Sequence, residues 1–289
     1  MWFWWSLIAA VFAAVSVILT KKALQNVSAS LVAWVLFSLN TPILILIAFK
    51  DGVTEVNSLF FLGAIGSASV FGIGKTIRLA AIKQNLLSKI APLATFSAVF
   101  AYLLALIFLS EKIKLMGVIG LLLIILGAYI LNAENLSKDL LKPFKLLFTE
   151  KASGLFMLGV LLASISAILD KISITNTFPT NPSLTLLMEN IVISIILFIY
   201  LQKKKQGWIK QLKDNFKLLT LTSIIYMLSA IAVFSAFAIG PVALVIGIKQ
   251  LQLFFVLLLS YLTFQDKPTK HSLLASVVMV IGVILIKLT

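Results

Sequence analysis

The chain has 289 residues, of which 61% are hydrophobic and only 12% charged, with a mean hydropathy of +1.12. An ordinary soluble domain is about 25% charged and could not hide this much apolar surface from water, so lipid must be the solvent for most of the chain. The absence of cysteine excludes disulfides, thiolate metal sites and cysteine nucleophiles. The formal charge of +14 invites a nucleic-acid reading, but membrane proteins gather lysine on their cytoplasmic loops, and no nucleic-acid partner is expected.

The first segment, MWFWWSLIAAVFAAVSVILT, lacks a basic lead and a small-residue cleavage site. It reads as a retained first helix with an interfacial belt of Trp2, Trp4 and Trp5. Stretches of roughly 20 apolar residues, the length that crosses a bilayer, follow in order at 29–49, 58–80, 85–109, 115–131, 153–170, 183–202, 218–238, 241–263 and 271–288. With 2–20 they predict an all-α membrane protein of ten transmembrane helices. The two longest polar connections, 132–151 and 203–217, carry apolar residues at amphipathic spacing and suit a membrane surface. Neither can house a separate soluble domain.

The two halves resemble each other. At an offset of 150, Ala13, Ser16, Ile18, Leu19, Lys21 and Asn26 meet Ala163, Ser166, Ile168, Leu169, Lys171 and Asn176, and Asn40 meets Asn190. At an offset of 155, Glu111-Lys112 meets Asp266-Lys267 and Gly127 meets Gly282. The expected organisation is a five-helix repeat over 1–131, an amphipathic linker over 132–152 and a second repeat over 153–289. Five is odd, so the second copy enters the membrane upside down. Such inverted repeats are the usual build of secondary transporters, with the solute site near mid-membrane between them.

Two signatures carry a family resemblance. One is Ile-Leu-x-Lys closing the first helix of each repeat (18–21 and 168–171). The other is NLLSKIAPLATFSAVFAYLLALIFLSEKIK (85–114), with Ser-Lys-x-Ala-Pro, an apolar helix and then Ser-Glu, where Ser110 replaces the glycine of the family's Gly-Glu. In the second copy Gly247 stands at the proline position, and Lys249 is not the strict counterpart of Lys89. The chain resembles the drug/metabolite transporter superfamily, in particular its EamA-type members, along essentially its whole length. That resemblance implies ten helices around a central cavity and the movement of metabolites or drugs, without fixing the solute.

Charges in hydrocarbon cost at least about 2.5–3.5 kcal/mol each, so those inside spans face a cavity or a partner. The candidates are Lys75, Arg78, Lys89, Asp170, Lys171, Glu189 and Lys249. Lys75 and Arg78 share a helix face, either snorkelling to the interface or forming a cationic rim. FGIGK lacks the glycine spacing of a phosphate-binding loop. Lys89, Lys249 and Glu189 are expected to contact the solute or a coupling ion, against a packing role as buried pairs. Asn40 and Asn190 either bridge helices or touch the solute. Pro92 removes a backbone bond and should kink its helix. Asp266 before Pro268 looks like a cap for the last helix, and Glu111 looks structural. His271, beside Lys270, reads as a solvated loop-edge residue.

The function expected is secondary active transport of a small metabolite by alternating access. An excess of cations at depth favours an anionic or amino-acid-like solute. An intramembrane lipid-modifying enzyme would need convergent acids, bases or metal ligands, and a channel would need a charged ring or filter repeat. The partners expected are the small-molecule substrate and the bilayer of the cell membrane, with the chain acting as a monomer or homodimer and without a cofactor. Fifteen loop lysines fall on one side and five on the side of both termini. The charge rule therefore places the termini outside, whereas ten-helix relatives usually keep them in the cytoplasm.

Overall fold

A computed structural model of the protein describes residues 1–84, 91–133, 145, 149–203, 207–264 and 269–289. The longer helices are α1 (Trp2–Ala23), α4 (Ser58–Gln84), α6 (Leu115–Ala133), α7 (Lys151–Thr175), α8 (Pro182–Lys203), α10 (Phe216–Ile239) and α13 (Lys270–Lys287). The second span is α2 (Ala29–Ser38) followed by α3 (Thr41–Ala48), and the fourth is a 3-10 turn (Ala91–Phe96) running into α5 (Ser97–Phe108). The ninth is α11 (Val242–Lys249) and α12 (Gln252–Phe264), and α9 (Trp208–Asp214) is a short helix between spans. Among the described residues, 7 helices are long and apolar enough to cross a membrane, and three further apolar helices, Ser58–Gly74, Pro92–Phe108 and Leu115–Leu131, are shorter. The protein is a multi-pass, all-helical membrane protein.

The helix expected to kink at Pro92 begins, among the described residues, as a 3-10 turn from Ala91 to Phe96, in which the Thr95 hydroxyl donates to the Pro92 carbonyl at 2.7 Å. The ninth span tightens at the matching place with no proline: Gln250 N–H bonds Gly247 O and Leu251 N–H bonds Ile248 O, each at 3.0 Å. Beyond α5, Ser110 adopts φ +52°, a left-handed conformation that glycine takes at little cost, which accounts for the glycine that the family pattern has there. Glu111 proves structural, its Oε2 accepting from Val242 N at 2.9 Å at the start of α11. The cap of α13 is not Asp266, which lies outside the described residues. It is Thr269, whose hydroxyl accepts from Ser272 N at 3.2 Å.

The chain forms two compact units that cut across the sequence repeat. One takes Met1–Ser69 and Leu169–Ile239; the other takes Val70–Ile168 and Gly240–Thr289. In the first, α1 presents Ser6, Ala9, Ala10, Ala13, Ala14 and Ser16 as its buried residues, and Ser229 of α10 donates to Ala9 O at 3.0 Å. Small residues let backbones approach closely where apolar side chains gain nothing by leaving lipid. Two residues of β1 (Glu55–Val56) pair antiparallel with two of β2 (Thr177–Phe178), and Asn181 ties this end to Ala48 O at 2.7 Å and Thr54 Oγ1 at 2.9 Å. Part of the expected amphipathic stretch at 203–217 is α9, whose Trp208 ring meets Trp34 and Phe198 at 5.9 and 6.1 Å. The 132–151 stretch falls mostly outside the described residues.

In the second unit the fifth and tenth spans, α6 and α13, run antiparallel along a seam of small residues. A Cβ on Gly120 would stand 2.5 Å from Gly282 O, and one on Gly282 would stand 2.5 Å from Gly120 O. Further along, a Cβ on Gly127 would stand 2.6 Å from Ala275 O. The 155-residue offset exchanges Gly120 with Ala275 and Gly127 with Gly282, so the seam maps onto itself, as contacts across a two-fold must. Gly282→Ala is expected to lower stability by about 1–3 kcal/mol, because neither backbone can yield. Gly154→Ala, with nothing within 4 Å of the new Cβ, should be neutral. Thermal unfolding in detergent compares the two.

Candidate functional site

In the first unit, five spans converge on a buried polar network. The second span is broken for a definable reason. Pro42 cannot donate to Ser38 O, and the helix stops at Ser38 and restarts at Thr41. Hydrocarbon offers no replacement partner, so side chains satisfy the exposed carbonyls: Asn40 Nδ2 donates to Leu36 O at 2.7 Å and Thr41 Oγ1 to Phe37 O at 2.8 Å. Asn40 Nδ2 also donates to Ser223 O of α10 at 3.3 Å, and the Ser223 hydroxyl donates to Val35 O at 2.9 Å.

Both Asn40 amide hydrogens are thus committed to carbonyls, which only accept. Its Oδ1 then accepts from Asn190 Nδ2 at 2.8 Å. The 150-residue offset pairs these two asparagines, so a residue contacts its own repeat mate. The second and seventh spans run antiparallel through this point, as the Ala48–Asn181 contact on one side and the Trp34–Phe198 contact on the other require. Asn190 Oδ1 is buried and has no partner, and neither has Oε1 of the neighbouring Glu189.

Glu189 and Asp170 are each only 7% exposed. The Glu189 carboxyl adjoins the Asp170 carboxyl and the Ser67 hydroxyl, and Ser67 donates to Asp170 Oδ1. Gly63, one turn before Ser67 on α4, makes this meeting possible. A Cβ there would stand 2.7 Å from Ser173 N and 2.8 Å from Leu169 O, so α4 and α7 cross with backbones almost touching. Ser173 adds hydrogen bonds to Phe60 O and Thr185 Oγ1, each at 3.1 Å. Tyr226 of α10, packed edge-on against Phe37 at 5.4 Å, lies within electrostatic range of both carboxyls. The Lys171 ammonium donates to Phe237 O.

The structure therefore brings together Asn40, Asn190 and Glu189 of the residues singled out in the sequence. Lys249 ends α11 in the other unit and is half-buried. Arg78 lies in α4 with its side chain outside what is described, and Lys89 is outside the described residues altogether. Sequence reasoning flagged Asp170 as a charge at depth without choosing it for the site, and it missed Ser67, Ser223 and Tyr226. A charge in a span was the signal for Asp170; the hydroxyls gave none. Among the described residues no three His, Asp or Glu side chains gather as metal ligands would.

Residues 1–133 match the EamA-like transporter family, and residues 151–288 match it a second time. The chain belongs to the EamA-like transporter family. Its members are generally transporters of small solutes. No curated protein matches the sequence. A solved structure described only as "Crystal structure of protein" is similar to it with a TM-score of 0.76 at 13% identity, over 98% of this chain and 97% of that one. At that identity the likeness establishes a shared fold and nothing about the solute.

Hydrogen bonds between membrane helices average about 0.6 kcal/mol in double-mutant cycles and reach about 1.7 kcal/mol. With both amides buried and their orientations locked by carbonyls, the Asn40–Asn190 pair should fall at the upper end. A cycle of Asn40→Leu, Asn190→Leu and the double variant, followed by thermal unfolding in detergent, measures it. Purely additive losses would mean that the bond contributes no coupling.

Proposed function

We propose that this protein is a secondary active transporter of a small amino-acid-like metabolite, residing in the cell membrane and working by alternating access with ten helices in two inverted repeats. The antiparallel contacts between repeat mates (second with seventh span, fifth with tenth) support the inversion, because a helix and its upside-down copy must run in opposite directions. One observation carries the transport reading. At the point where the second and seventh spans meet, Glu189 Oε1 and Asn190 Oδ1 are buried acceptors with no protein donor. Leaving a buried acceptor unmade costs about 1–3 kcal/mol, more for a charged group, so such atoms persist where a ligand's donors serve them.

Adjacent carboxyl and amide oxygens suit an ammonium group, which offers three N–H donors. The excess of cationic side chains in the spans favours a solute that also bears a carboxylate. An amino-acid-like zwitterion meets both demands. Lys89 and Lys249 are proposed to contact a solute or coupling ion, and their alanine variants test that separately from Glu189 and Asn190.

Proteoliposomes preloaded with an unlabelled amino-acid mixture should accumulate labelled amino acids by counterflow. Glu189→Ala and Asn190→Ala should reduce that exchange at least tenfold while the protein still folds. Exchange unaffected by either variant would remove both residues from the site. A channel or an enzyme would give no counterflow at all.

Orientation is tested independently. Following the lysine bias, a reporter active only in the cytoplasm and fused after Thr289 should stay silent. Strong activity there would put the termini inside, as in most ten-helix relatives.

A further inference from the structure

We propose that Ser97 and Gln250, where the fourth and ninth spans meet in the second unit, bind the carboxylate of the solute. The proposal rests on the transport reading above and adds to it the residues that take the negative end. The two spans are wound alike at the same point of the repeat. Shifting Ala91–Phe96 by the offset of 155 gives 246–251. The first stretch is a 3-10 turn, and the second carries the tight bonds from Gln250 N–H to Gly247 O and from Leu251 N–H to Ile248 O. A proline accompanies the winding in one copy and not in the other, so proline alone does not account for both. Winding of this kind inside a span often marks a functional place, and transporters put their solutes where spans depart from regular helix.

The side chains change character at the same point. Val242, Ala243, Leu244, Val245, Gly247 and Ile248 are buried, so α11 is apolar and packed nearly all round. Lys249, Gln250 and Gln252 then interrupt the apolar run, and each is half-buried, as Ser97 is. Polar side chains at membrane depth are expensive, and they turn to a partner or a water-filled space rather than to lipid.

Three spans meet at Ser97. Gln250 Nε2 donates to Ser97 Oγ at 3.1 Å, and Ser97 O accepts from the Ser164 hydroxyl of α7 at 3.0 Å. Ser164 is fully used by this contact, because its one hydrogen serves both Ser97 O and its own Val160 O. Ser97 and Gln250 are not. The amide nitrogen has two hydrogens and the hydroxyl one, and a single hydrogen of the three is spent between them. One N–H and one O–H therefore stand side by side with no acceptor among the described residues. Two adjacent donors match the two oxygens of a carboxylate, whose hydrogen bonds are strengthened by its charge. An ammonium would find Gln250 Oε1 to accept from it and be opposed by both donors.

The chain has no cysteine, so a single introduced cysteine reports on its own position. In proteoliposomes, Ser97→Cys and Gln250→Cys should react with a water-soluble methanethiosulfonate reagent. Ile107→Cys, at a 69% exposed apolar position of α5, and Ser164→Cys, at a 1% exposed one, should not. An amino-acid mixture should slow the reaction at 97 and 250 at least tenfold, and the matching amines, which lack only the carboxylate, should leave it unchanged. Gln250→Cys as inert as Ile107→Cys would overturn the proposal, since the side chain would then meet only lipid or protein. Reaction slowed equally by amino acids and amines, or by neither, would overturn it too. If Ser97→Cys does not fold, Gln250→Cys decides alone, because both donors serve one group. Counterflow without protection would refute this site and leave the transport reading standing, whereas protection without counterflow would do the reverse.

Discussion

Hydrocarbon offers no hydrogen-bond partner, and the break in the second span is an answer to that constraint. Where Pro42 stops the second span, the carbonyls of Leu36 and Phe37 are met by the side chains of Asn40 and Thr41. In water, solvent would serve. Here the repair must come from the protein, and the asparagine that makes it is held in one orientation. Because both its N–H groups are spent on carbonyls, its oxygen can only receive, and the Asn190 amide of the repeat mate provides the donor. A local backbone defect thus fixes a contact between the two halves of the sequence.

The same contact leaves Asn190 with an oxygen facing away from it, next to Glu189. Satisfying one side of the network created the orphans on the other. A packing residue would be finished at this point, as Ser223 and Ser229 are, each donating to a backbone carbonyl. The asparagine pair is asymmetric: Asn40 uses both amide hydrogens and its oxygen within the fold, and Asn190 keeps a buried oxygen without a partner.

Close approach of backbones does for the carboxyls what the broken helix does for the amides. Gly63 lets α4 cross α7 with no side chain between them, which sets Ser67 over Asp170 and Asp170 beside Glu189. In the second unit Gly120, Gly127 and Gly282 allow an equally tight seam that holds two helices together. Glycine at a crossing is therefore a means, and the residues one turn away decide what it is used for.

The sequence by itself determined the membrane class, the helical character of its apolar stretches, the repeat, the family and three of the residues in the buried network. These follow from hydropathy, from a repeat period, and from the rarity of charged and amide side chains within apolar runs, all of which are properties of the chain read in order. The tertiary structure alone decided that Asp170 and Glu189 lie beside one another, that Ser67 donates to Asp170, that Thr269 caps the last helix, and that the compact units exchange segments across the repeat. Such groupings depend on how each helix is rotated about its axis and on how closely neighbours cross. Lipid, being equally apolar on every side, leaves almost no trace of that rotation in the hydrophobic pattern.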